Sequence, residues 1–111
     1  MTTVRFRTDR DRITGFTCQG HSGHAEAGRD IVCAAVTSAI RYLEATVNDV
    51  LGLAASVRVR EAETPSIAFR LPGGLSPELE ETTQALMAGL MVYLSQLHSE
   101  YPDSVEVYEE A

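Results

Sequence analysis

Twice along the 111 residues the spacing of apolar side chains switches from every second position to every third or fourth, and back again. Val4-Arg5-Phe6-Arg7 and Ile13 to Cys18 alternate apolar with polar, separated by the polar turn Thr8 to Arg12. Strand side chains point to opposite faces in turn, so these runs predict a β-hairpin with one apolar face. From Ile31 the step lengthens: Val32, Val36, Ala39, Leu43, Val47 and Val50 lie within an arc of about 80° on a helix turning about 100° per residue. That predicts a long amphipathic helix ending near Gly52. Strand spacing returns in Ser56-Val57-Arg58-Val59-Arg60 and in Ser66 to Leu71, with Glu63-Thr64-Pro65 as turn chemistry between them. After the break Leu71-Pro72-Gly73-Gly74-Leu75, Ser76 supplies an N-cap and Pro77 a first helical residue. The second helix carries the stripe Leu79, Thr83, Leu86, Leu90, Leu94 and Leu97, and ends before Tyr101-Pro102, where proline cannot continue the ladder. Ser104 to Tyr108 is a last short strand. The order ββαββαβ, with one apolar stripe per helix, predicts an α+β fold: two helices packed on one face of a mixed, mostly antiparallel sheet.

A chain of this length makes one domain, residues 1–111, able to bury a single core without staples. Its apolar stretches are interrupted by polar residues every few positions, and it opens MTTVRFRTDRDR, so neither a membrane span nor a signal-peptide core is expected. The expected location is the cytoplasm, where the two cysteines would be reduced thiols rather than a Cys18–Cys33 bridge. A formal charge of -7 argues against a binder of phosphate backbones and suits a basic partner. Direct nucleic-acid binding is therefore not expected. The charge is uneven, with Arg5, Arg7, Arg10 and Arg12 near the start and Glu78, Glu80, Glu81, Glu109 and Glu110 later.

The chemistry gathers in GHSGHAEAGRDIVC, Gly20 to Cys33. Asp30 stands just before the first periodic residue and reads as the N-cap, which puts Ile31, Val32 and Cys33 at the first helical positions. A thiol there meets the positive end of the helix dipole, and helix N-termini and neighbouring histidines are the settings that favour a thiolate. With Val32 at the stripe centre, Cys33 points about 100° away, beside Thr37 and Glu44, on the border between core and solvent. The plain alternative is a small buried hydrophobe. Gly20, Gly23 and Gly28 allow the intervening loop to fold back over the helix start. His21 can then approach Cys33 and complete an activated-nucleophile pair, and His24 competes for that role. His21, His24 and Cys33, with Cys18 or Asp30, also resemble a zinc ligand set, although the spacing matches no compact zinc module. Cys18 reads as structural and His98 as surface or rim.

Gly20-His21 followed by Gly28-Arg29-Asp30-Ile31-Val32-Cys33, and onward through Ala34-Ala35-Val36 to Thr37, resembles the signature of the ribosomal-processing cysteine protease family, Prp. The resemblance covers the whole chain in length and element order and is sharpest from Gly20 to Thr37. It departs from the family pattern at Ser22, where alanine is common, and at Thr37, where serine is usual. Carried across, it implies that Cys33 is the nucleophile and that His21, not His24, is the proton carrier. Asp30, Gly20, Gly28 and Thr37 support them, and neither metal nor cofactor is called for. Backbone N–H groups around Ile31 to Cys33, or in the glycine loop, would hold the oxyanion. The family's members are homodimers that remove a short N-terminal extension from the large-subunit ribosomal protein twenty-seven. The partner implied is thus a ribosomal-protein precursor peptide. A different class of function is a non-catalytic ribosome-assembly or interaction module whose glycine loop binds a basic partner. A third is a small metal-binding protein. The outer-lying apolar residues Met87, Met91 and Tyr93 on the second helix would serve a dimer surface or the core equally well.

Overall fold

The computed structural model describes residues 1–20 and 27–111. Among the described residues eight elements follow one another: β1 (Thr2–Asp9), β2 (Arg12–Gln19), α1 (Ala27–Glu44), a π-helical segment (Ala45–Val50), β3 (Ser56–Arg60), β4 (Ser66–Arg70), α2 (Pro77–Glu100) and β5 (Val105–Glu110). The strands form one sheet in the order β3-β4-β2-β1-β5. The β1–β2, β2–β4 and β3–β4 pairs are antiparallel, and β1–β5 is parallel. The architecture is the expected one, two helices on one face of a mixed sheet in the order ββαββαβ.

Alternation along the strands selects that face. Phe6, Phe16 and Phe69 sit directly opposite one another on β1, β2 and β4, with ring centroids 5.4 and 5.2 Å apart. Val4, Cys18 and Ile67 form the next row. The helices lay Val32, Val36, Ile40, Leu43 and Val47 from α1, and Met87, Leu90, Leu94 and Leu97 from α2, against this surface in one continuous core. Burying such side chains contributes about 1.5–3 kcal/mol each.

The hairpin turn between β1 and β2 places Arg10 and Asp11 at φ 52° and 65°, the positive-φ pair whose twist matches that of the flanking strands. Ser76 caps α2 as its sequence position requires, its hydroxyl accepting the Leu79 N–H at 3.3 Å, with Pro77 at the first helical position. Gln84 clamps α2 to the sheet, since its amide accepts the Ile13 N–H (2.8 Å) and donates to the Ile13 carbonyl (2.9 Å). Beside it Arg12 pairs with Glu80 at 2.6 Å and donates to the Pro72 carbonyl at 2.9 Å.

The first helix departs from its sequence reading at both ends. Its described residues reach back to Ala27, four residues ahead of Ile31. Asp30 is therefore a helical residue and not the N-cap. Ala27 and Arg29 are good helix formers and no proline blocks them, so the helix runs on toward the N-terminus past the aspartate. At the other end the regular helix gives way at Ala45 to π-type turns, with the Leu51 N–H reaching back five residues to the Thr46 carbonyl. The wider turn shifts the stripe's phase. Val50, placed on the stripe by its spacing, is 76% exposed, while Ile40, which that spacing missed, is fully buried.

Candidate active site

Gly20 follows the last residue of β2. It adopts φ +80°, and a Cβ there would stand 2.5 Å from the Met1 carbonyl oxygen. Its N–H donates to the Pro65 carbonyl at 3.1 Å, tying the exit of β2 to the β3–β4 turn. No other residue type meets both demands. His21 and His24 lie outside the described residues, and with them the choice between the two as partner of the thiol.

Gly28 and Asp30 are the second and fourth residues of α1, and Cys33 is the seventh. Only the first four N–H groups of a helix lack an intrahelical acceptor. The amides of Ile31 to Cys33 are thus committed to the helical ladder and cannot be oxyanion donors. The helix dipole, which falls off within the first turn, also acts on Cys33 less than a first-turn position would allow.

The position of Cys33 on the flank of α1 is as the helical wheel places it. Its thiol is free and half-buried, next to fully packed Val32 and one turn before half-buried Thr37. Cys18, by contrast, is buried on β2 at the edge of the core. Burial pushes its thiol from the ordinary 9.0 up to about 11, and the neighbouring Cys33 charge adds to the rise. From sequence, a Cys18–Cys33 bridge and a shared zinc set are alternatives to the structural role favoured for Cys18. The two cysteines lie on different elements, and only the packing of α1 over β2 brings them near each other. His98, assigned to the rim, is on the exposed side of α2, where its Nδ1 is 2.6 Å from the Val105 carbonyl and braces the entry into β5.

A free, partly exposed thiol on a helix flank, over the strand that leads into Gly20-His21, is an arrangement suited to nucleophilic attack. A sequence model of the family described as cysteine protease Prp matches residues 1–106. The chain belongs to the cysteine protease Prp family. Membership makes it a cysteine peptidase. Among its relatives, the ribosomal processing cysteine protease Prp of Bacillus subtilis is 32% identical over 107 residues, covering 95% of this chain and 92% of that protein. Two solved structures share the fold. SMU.848 from Streptococcus mutans superposes with a TM-score of 0.87 at 21% identity, covering 100% of this chain and 96% of the other. The Prp protease of Staphylococcus aureus, solved with a covalently linked product peptide, superposes at 0.70 with 23% identity and coverages of 98% and 99%.

Proposed function

We propose that the chain is an endopeptidase that removes the N-terminal extension of a large-subunit ribosomal protein, ribosomal protein twenty-seven, using Cys33 and His21 as a catalytic dyad. The observation that carries this reading is the half-buried free thiol of Cys33 beside Cys18, three residues ahead of His21 in the chain. The relatives named as ribosomal processing proteases, and the covalent product peptide on the S. aureus member, support it.

In the proposed reaction the Cys33 thiol gives its proton to His21 and the sulfur attacks the scissile carbonyl carbon, forming a C–S bond and a tetrahedral oxyanion. Collapse breaks the C–N bond as His21 protonates the leaving amine. Water, deprotonated by His21, then cleaves the thioester and frees the thiol. Of the backbone donors open to the oxyanion, those of Ala27 to Arg29 lie ahead of the intrahelical ladder. Gly28 lets a substrate main chain come close to them. Asp30 keeps the supporting role that the family resemblance gives it. Thr37 supports the thiol from one turn further on.

The enzyme works as a cytoplasmic homodimer in this proposal. Met87 is fully buried and belongs to the core, which leaves the outer side of α2 for the partner, where Val92 and Tyr93 are 53% and 43% exposed. Light scattering on the purified chain tests the dimer, and a monomer at working concentration rejects it.

Activity is tested with a synthetic peptide spanning the extension of the host's own ribosomal protein, followed by mass spectrometry. Wild type cuts at one bond. Cys33→Ala abolishes cleavage, and His21→Ala lowers it about 10²–10⁴-fold. Undiminished cleavage by Cys33→Ala rejects the assignment, and loss with His24→Ala but not His21→Ala transfers the base to His24.

A further inference from the structure

The face of the sheet turned away from the helices holds five of the chain's nine basic residues, all exposed: Arg5, Arg7, Arg58, Arg60 and Arg70. Register puts them there together. Arg7, Gly15 and Arg70 form one cross-strand row over β1, β2 and β4, and Arg5, Thr17, Ala68 and Arg58 form the next. The middle of both rows is nearly bare of side chain. At Gly15 a Cβ would run into the Phe69 carbonyl, so the two strands approach too closely for any other residue. The result is a shallow groove of about 520 Å³ floored by Gly15, Thr17 and Ala68 and walled by Arg5, Arg7, Arg58 and Arg70.

Carboxylates enter this groove only at its β1–β5 side. Glu110 pairs with Arg5 at 2.9 Å, and Asp9 lies near Arg7 along the wall. Arg5 also stacks on Tyr108, 4.8 Å from the ring centre. Arg7, Arg58, Arg60 and Arg70 have no ion-pair partner among the described residues. Glu106, on the same face of β5, accepts from the Tyr108 hydroxyl at 2.6 Å on the β1–β5 side. Many of the other acidic residues lie on the helical layer, where Asp49, Glu78, Glu81 and Glu100 are exposed. A net charge of -7 thus averages over a molecule with one basic face.

We infer that this sheet face is a docking surface for the phosphate backbone of single-stranded RNA. The cations form a two-dimensional array, about 10 Å apart across two strands and about 7 Å apart along one. An acidic peptide meets such an array only with carboxylates at matching positions, whereas a phosphate chain carries a charge on every unit and needs no particular sequence. Arginine forks bind phosphate oxygens in pairs, and the bare floor lets sugars and bases lie flat between them. The face is opposite the helical layer that carries Cys33, so docking does not depend on the peptidase chemistry.

Fluorescence anisotropy of a labelled twelve-nucleotide oligouridylate, titrated with the full chain, tests the inference. Three or four phosphate contacts give a log–log salt slope of about -2 to -3, an affinity loss of roughly 20–50-fold between 50 and 200 mM salt. Arg7→Gln combined with Arg70→Gln should weaken binding at least tenfold and flatten the slope by about 1.4. Glu110→Gln should tighten it, and Cys33→Ala should bind like wild type. All these side chains except Cys33 are exposed, and circular dichroism melts confirm that the variants fold. Absence of binding at 50 mM salt overturns the inference, as does binding that survives the double arginine substitution. Equal or tighter binding of a labelled oligoglutamate of matching charge overturns the choice of RNA and assigns the face to an acidic protein.

Discussion

Cys18 and Cys33 are the same chemical group in two surroundings, and the difference sets their reactivity. Alkylation requires the thiolate, and a thiol held near 11, as at Cys18, is almost wholly protonated at pH 7 as well as shielded by the core. Iodoacetamide near neutral pH should therefore modify Cys33 at least tenfold faster than Cys18, read by peptide mass spectrometry; equal rates would remove the distinction. The same shift has a consequence for stability. Because the folded-state value lies above the ordinary 9.0, the neutral Cys18 thiol favours the fold below pH 9. That contribution is lost as the pH rises toward 11, by about 3 kcal/mol at most. Denaturant unfolding of wild type and Cys18→Ala should show the two curves of stability against pH converging between pH 9 and 11, and parallel curves would contradict the burial. Gly20 is the other residue whose role is steric and local. Gly20→Ala forces a side chain into a positive-φ position against the Met1 carbonyl, and should cost about 1–3 kcal/mol and disturb the segment that begins at His21. Loss of peptidase activity greater than the stability loss explains would tie the turn to the site.

The two helices are held by different means. α2 has a conventional start at Ser76-Pro77, a buried stripe and a side-chain amide that satisfies both backbone groups of Ile13. Gln84→Ala leaves that N–H and carbonyl without their partners and should destabilise the protein by about 1–3 kcal/mol, measured by chemical denaturation. Gln84→Glu keeps the acceptor for the Ile13 N–H but not the donor, so an effect as small as a surface change would show that the clamp is replaced by water. α1 ends in a π-helical segment, and Asn48 on that segment closes the connection to β3. Its Oδ1 accepts the Ala55 N–H at 2.6 Å and its Nδ2 donates to the Ala55 carbonyl at 3.2 Å. The segment costs α1 its regular phase but allows Val47 to remain buried while the chain turns toward the edge strand.

Across the whole molecule the charges are layered: arginines dominate the open sheet face, and exposed acids crowd the helices. A basic peptide approaching Cys33 therefore meets an attractive layer. Steering of this kind acts on the association rate and fades as the Debye length shrinks from about 10 Å at 0.1 M salt to about 3 Å at 1 M. For the proposed precursor substrate, kcat/KM should fall several-fold over that range while kcat changes little, and a salt-independent kcat/KM would show that the acidic layer takes no part in capture. Anionic ligands on the sheet face respond to salt as well, but at a site where Cys33→Ala has no effect.

The spacing of apolar residues determined the element order, the single apolar face of each strand and helix, the Ser76-Pro77 start and the boundary position of Cys33, because each follows from the geometry of one element. It did not determine where α1 begins, since capping chemistry at Asp30 competes with the helix propensity of the residues before it, nor the π-type turns that expose Val50. Pairing of remote strands was beyond it too. Only the tertiary structure placed the hairpin β1–β2 at the centre of the sheet, brought Cys18 under Cys33, drew Met87 into the core and gathered five arginines from three strands onto one face. Those outcomes depend on register between segments up to about a hundred residues apart, as in the Arg5–Glu110 pair, and no local period encodes that register.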